Sequence, residues 1–182
     1  MAYGTVKADN IIYDASGTDT TAAVSSLVTT AANNTYTGTQ TYNGSSSTLG
    51  AVFKNTAEPV TIVGSAATGT INYDVTTQSI MYYTSNSTAN FTINFRGSSG
   101  TTLNSLMSTG QAITCVFMNT NGGTAYYNNT IQVDGSSATV KYNGSSAWSS
   151  GNQNDVDLYT YNIIKTGSAA FTIFANQANF GT

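Results

Sequence analysis

The sequence predicts an all-β fold: an antiparallel, jelly-roll-like β-sandwich with an extended N-terminal arm. Three observations lead there. From Gly50 onward, short runs of β-branched and aromatic residues recur, turn-forming pairs separate them at short intervals, and a single segment between them has helical periodicity. Two regions follow, an anchoring arm over residues 1–50 and a sandwich domain over residues 51–182.

The arm opens with a short strand from Tyr3 to Tyr13 and passes through Ala15-Ser16-Gly17-Thr18-Asp19. A helical or extended stretch around Ala22 to Val28 comes next. Its last part, Asn33 to Gly44, alternates Thr with Tyr, Gly and Gln, which suits a strand but holds too few apolar residues to build a core. An arm of this kind is ordered by packing on something else. Its candidate anchors are Tyr3, Val6, Ile11, Ile12 and Tyr13, which strand addition would bury against a neighbour.

In the sandwich region the expected strands are Ala51 to Lys54, Val60 to Val63, Thr70 to Val75, Ser79 to Thr84 and Asn90 to Arg96. They continue with Gln111 to Met118, Thr130 to Asp134, Ala138 to Tyr142, Leu158 to Lys165 and Ala170 to Ala175. Turns such as Asn121-Gly122-Gly123, Asp134-Gly135 and Asn143-Gly144 supply the positive-φ positions that tight connections need. Leu103, Leu106 and Met107 recur at helical spacing before Gly110, predicting one short helix over Thr101 to Thr109. Pro59 stands just before a strand, where a missing N–H costs least.

Composition excludes several functions. Charged residues are 7% of the chain, against about 25% in an ordinary soluble domain, so the surface is wetted by Ser, Thr, Asn and Gly instead. The five cations, Lys7, Lys54, Arg96, Lys141 and Lys165, are scattered along a chain of net charge −3, which rules out nucleic acid as a partner. No apolar run reaches the length of a membrane helix, and Met1 to Lys7 lacks the pattern of a signal peptide, so synthesis in the cytosol without secretion is expected.

The chain has no histidine, which removes the commonest general base, the Ser–His pair and the commonest metal ligand. The eight acids are dispersed, and no cofactor, metal or catalytic residue is expected. Asn152-Gln153-Asn154-Asp155-Val156-Asp157 is rich in oxygen ligands, yet it lacks the glycine and distal glutamate of a calcium loop and reads as a polar loop before a strand. Cys115, in an apolar run, reads as a small core residue. Tyr and Trp are frequent at interfaces and sugar platforms as well as in cores. Trp148, in a polar loop, and Tyr159 with Tyr161, two apart on one strand face, are the candidate exposed contacts; Tyr82 and Tyr83, as strand neighbours, point to opposite faces.

The opening MAYGTVKADNII resembles that of virion structural proteins of marine phages infecting cyanobacteria. The stretches GTINYDVTTQSIMYYTSNSTANFTINFRGSSGTTLNSLMSTGQ, IQVDGSS and VDLYTYNIIKTGSAAFTIFANQ resemble a C-terminal domain of fibre-like phage proteins, with Asn94 to Leu103 the most specific part. The resemblance implies a place on the outer surface of a virion head or tail and carries over no catalytic residue. The expected role is a capsid decoration protein, a homotrimer held on the major capsid protein or another virion protein by its arm. The alternatives are a tail fibre or appendage binding a host-surface glycan, and a polysaccharide depolymerase.

Overall fold

The structure is a computed structural model that describes residues 10–15, 17–23, 36, 38–42 and 44–181. It divides into two compact units, Met1–Lys54 and Asn55–Thr182. In the first unit, β1 (Asn10–Ala15) and β2 (Thr18–Ala23) pair as an antiparallel hairpin, with Ala15 opposite Thr18 and Gly17 turning the chain at φ 84°. The rings of Tyr42 and Phe53 stand nearly perpendicular, their centroids 6.2 Å apart. The expected strand at Ala51 to Lys54 is not formed. Of the expected stretch from Ala22 to Val28, Ala22 and Ala23 close β2 and the rest lies outside the described residues.

The second unit is all-β apart from one α-helical turn and a 3-10 turn at Asn143–Ser145. Its strands are β3 (Val60–Ala66), β4 (Gly69–Asp74), β5 (Ile80–Asn86), β6 (Phe91–Arg96), β7 (Ala112–Thr120), β8 (Asn128–Val133), β9 (Ser136–Ser137), β10 (Thr139–Tyr142), β11 (Val156–Gly167) and β12 (Ala170–Phe180). A six-stranded sheet runs β10-β12-β11-β7-β5-β3 and a four-stranded sheet runs β4-β6-β8-β9. Pro59 precedes β3 as expected, and its carbonyl accepts the Ser79 N–H at 3.2 Å.

Pairing direction departs from the expected antiparallel jelly roll. From β3 to β8 the chain alternates between the sheets, one strand in each, so every return to a sheet runs the same way as the last. Pairs β3·β5, β5·β7, β4·β6 and β6·β8 are therefore parallel; β10·β12 is parallel as well, while β7·β11, β11·β12 and β8·β9 are antiparallel.

This winding stacks an internal repeat. Thr70-Ile71-Asn72-Tyr73-Asp74, Thr92-Ile93-Asn94-Phe95-Arg96 and Thr130-Ile131-Gln132-Val133-Asp134 follow one pattern, and the first two align residue for residue with each other. The third continues the alignment, with Ile93 beside Ile131 and Asn94 beside Gln132. Like side chains thus form ladders: isoleucines and large apolar residues point inward, threonines and amides outward, with Asn94 Nδ2 donating to Asn72 Oδ1 at 2.8 Å.

The core lies between the sheets. Ile71, Ile93 and Ile131 face Cys115, Phe117, Tyr161, Ile163 and Ile173, all buried in one cluster. Aromatic pairs join the two layers, Phe95 with Tyr161 at 5.0 Å and Phe91 with Phe117 at 5.4 Å between ring centroids.

The expected helix is a single turn, α1 (Leu103–Leu106). Thr102 caps it, its Oγ1 accepting from Ser105 N at 3.1 Å, and Gly110 ends the segment at φ 89°. A turn this short cannot hold itself, and neighbours satisfy both ends. The Asp134 carboxylate accepts from Leu103 N and Asn104 N at 2.7 and 2.9 Å, and Lys165 Nζ donates to the carbonyls of Asn104 and Met107 at 2.5 and 2.8 Å.

Candidate functional site

Strand alternation gives the six-stranded sheet two faces: the inner one is apolar, and the outer one is apolar toward β3 and mixed toward β10. Met81, Cys115, Phe117, Tyr159 and Tyr161 point into the core, so their neighbours point out. In register across the outer face run Val60, Ile80 and Val116, and beside them Ile62, Tyr82, Met118, Leu158 and Ala178. Ile62 is 69% exposed. Neither β3, β5, β7 nor β12 contains a charged residue, and the two in β11, Asp157 and Lys165, are buried. The outer face of the other sheet differs: it carries the Asn72–Asn94–Gln132 row and the ion pair of Arg96 Nε with Asp74 Oδ1 at 2.5 Å.

At the β10 end of the same sheet the surface forms an open groove of about 770 Å³. Lys141, Asn143, Thr160, Asn162, Phe174 and Asn176 line it, and no carboxylate does. Phe174 is 51% exposed, and Asn143 Nδ2 donates to Asn176 Oδ1 at 2.9 Å. An aromatic face beside amides, a hydroxyl and a cation can take a polyhydroxylated ring, with C–H groups on the phenyl face and hydroxyls on the amides.

The sequence-predicted contacts are placed differently. Tyr159 and Tyr161 share one face, their rings stacked at 6.3 Å, but it is the core face, and both are fully buried. Trp148 is half-buried. It packs on Tyr142 and Tyr159 at 4.9 and 5.2 Å, and its indole N–H donates to the Asn128 carbonyl. An indole ring needs both apolar cover and an acceptor, and the loop folds back to provide them. Tyr82 and Tyr83 do part to opposite faces, Tyr83 packing on Phe117 at 5.4 Å. Ile11, Ile12 and Tyr13 lie in β1 opposite Ala22, Thr21 and Thr20, while Tyr3 and Val6 lie outside the described residues.

Sequence reasoning passed over the outer face, although a signal was present. Ile80-Met81-Tyr82-Tyr83 and Cys115-Val116-Phe117-Met118 are unbroken apolar runs, and a strand with one wet face would alternate.

The loop at Asn152 to Asp157 folds onto a buried carboxylate. Asn152 N donates to Asp157 Oδ1 and Oδ2 at 3.0 and 3.1 Å, and Asn121 Nδ2 donates to Oδ2 at 2.9 Å. Burial pushes the Asp157 carboxyl up to about 6, the N–H donors only partly offsetting it. N–H groups aimed at both oxygens suit an anion rather than a bound cation, and among the described residues no three Asp, Glu, Cys or His side chains gather as metal ligands. Cys115 is buried in the core, as the sequence predicted, and burial pushes its thiol up to about 12. No family model, no curated protein and no solved structure matches the chain.

Proposed function

We propose that the chain is a non-enzymatic structural protein of a tailed-phage virion, a capsid decoration protein that attaches through its N-terminal residues and forms a homotrimer on the head surface. The observation that carries the reading is the uncharged outer face of β3, β5 and β7, apolar along the rows Val60–Ile80–Val116 and Ile62–Tyr82–Met118 and extended by Leu158 of β11. An apolar surface of that breadth is the chemistry of protein contact. The sequence resemblance to phage virion proteins supports the location, and the β1–β2 hairpin, which among the described residues pairs with no further strand, supports attachment by strand addition to the major capsid protein.

The test is on particles. Quantitative mass spectrometry of purified virions is expected to count hundreds of copies, and deletion of residues 1–30 is expected to abolish attachment while the sandwich stays folded. Full occupancy by the truncated chain, or absence from particles, refutes the reading.

The groove beside Phe174 favours a second reading, a tail fibre or appendage that binds a host-surface glycan. A count of a few tens of copies at most, together with loss of host-glycan binding on Phe174→Ala, selects it over decoration.

A further inference from the structure

The β3 end of the outer face is open in two ways. Among the described residues β3 has a strand neighbour on one side only, β5, so the backbone groups along its other side meet no strand. Edges of soluble sheets are commonly blunted by charge, and β3 has none. Its outward side chains, Val60 and Ile62, are 47% and 69% exposed, and they continue the apolar rows of Ile80 with Val116 and Tyr82 with Met118.

The geometry points to a second copy of this chain as the occupant: copies associate through the β3 end of this face. Charge decides the choice. A partner bringing Lys, Arg, Asp or Glu to these rows would bury them with no counter-charge, at a large desolvation cost. A second copy brings the same neutral rows and an equally open edge, so the two meet without desolvating any charge. The contrast with the other sheet, whose outer face carries Asp74 and Arg96, marks this face as the one suited to burial. A contact between like patches is two-fold, so it pairs copies in addition to the three-fold arrangement proposed above and does not depend on it. It is tested on the isolated chain and the virion reading on particles, so either can fail alone.

The experiment is sedimentation equilibrium of the full chain across a concentration series, with far-UV circular dichroism as the folding control. The wild type is expected to self-associate. Ile62→Lys and, separately, Val60→Lys are expected to weaken association about a hundredfold or more, because each buries an unpaired charge. Both side chains are exposed, so neither substitution disturbs the core. Thr70→Lys, exposed on the other sheet, is expected to associate like the wild type. A wild type that stays monomeric, an oligomer that withstands both lysines, or an equal loss in Thr70→Lys overturns the inference.

Discussion

Asp134 and Lys165 hold opposite ends of the same helical turn. The carboxylate takes the first free N–H groups of α1 and the ammonium takes carbonyls at its end, although Asp134 follows β8 of the four-stranded sheet and Lys165 lies on β11 of the six-stranded one. Asp134 reaches the turn from a two-residue hairpin loop in which it and Gly135 both have positive φ, 51° and 78°, the geometry an Asp-Gly pair favours.

Replacing either residue strands buried backbone groups. Lys165→Met, which keeps the aliphatic stem, is expected to cost about 2 kcal/mol, and Asp134→Ala about 1–2 kcal/mol. Both act on one turn, so the double variant should lose less than the sum. Urea denaturation of the four proteins measures this, and strict additivity would contradict a shared role.

Asp157 makes stability depend on pH in an uncommon sense. Its carboxyl is raised by burial to about 6 from a model-compound value of 3.8, so between those values the folded state binds the proton that the unfolded state releases. Its contribution favours folding below about pH 4 and is lost as pH rises through about 6. Melting temperature relative to Asp157→Asn, scanned over pH 4–7, is expected to fall with rising pH in the wild type. A flat difference refutes the assignment.

Gly151 is packed too closely for any side chain. An added Cβ would stand 2.5 Å from Asp157 Oδ2 and 2.7 Å from Asn121 Nδ2, and would also meet the Tyr126 carbonyl oxygen. Those atoms are bonded to one another and cannot all retreat. Gly151→Ala is expected to destabilise by about 1–3 kcal/mol. Gly123→Ala, where nothing lies near the added atom, is the control.

Cys115 should be silent in the native protein. It is 2% exposed and its thiol is raised by burial, so both access and thiolate are lacking. A thiol reagent at pH 8 is expected to label it only as fast as the protein opens, and immediately in denaturant. Rapid native labelling would contradict its placement.

Much of the second unit can be read along the chain. Most of its strands stand where β-branched runs lie between turn residues, the helical turn sits between Thr102 and Gly110, and Cys115 is in the core. The two-residue β9 escaped because it is defined by its pairing with β8 rather than by side chains of its own. The threefold Thr-Ile-Asn/Gln pattern is present in the sequence, but sequence reasoning passed over it in favour of antiparallel pairing; equivalent residues in successive windings fall side by side, which is what parallel stacking needs.

Most strands and turns of the second unit, and which neighbouring side chains part to opposite faces, follow from the chain alone, because turn chemistry and the two-residue period of a strand act over a few residues. Only the tertiary structure decided which face meets the core. Tyr159 and Tyr161 share a side by local geometry, yet their burial depends on Phe91 and Phe95 arriving from the other sheet. The same holds for Asp157, whose carboxyl is raised by a burial that long-range packing creates, and for Ile62, Tyr82 and Met118, which form one surface because three strands distant in sequence align in register.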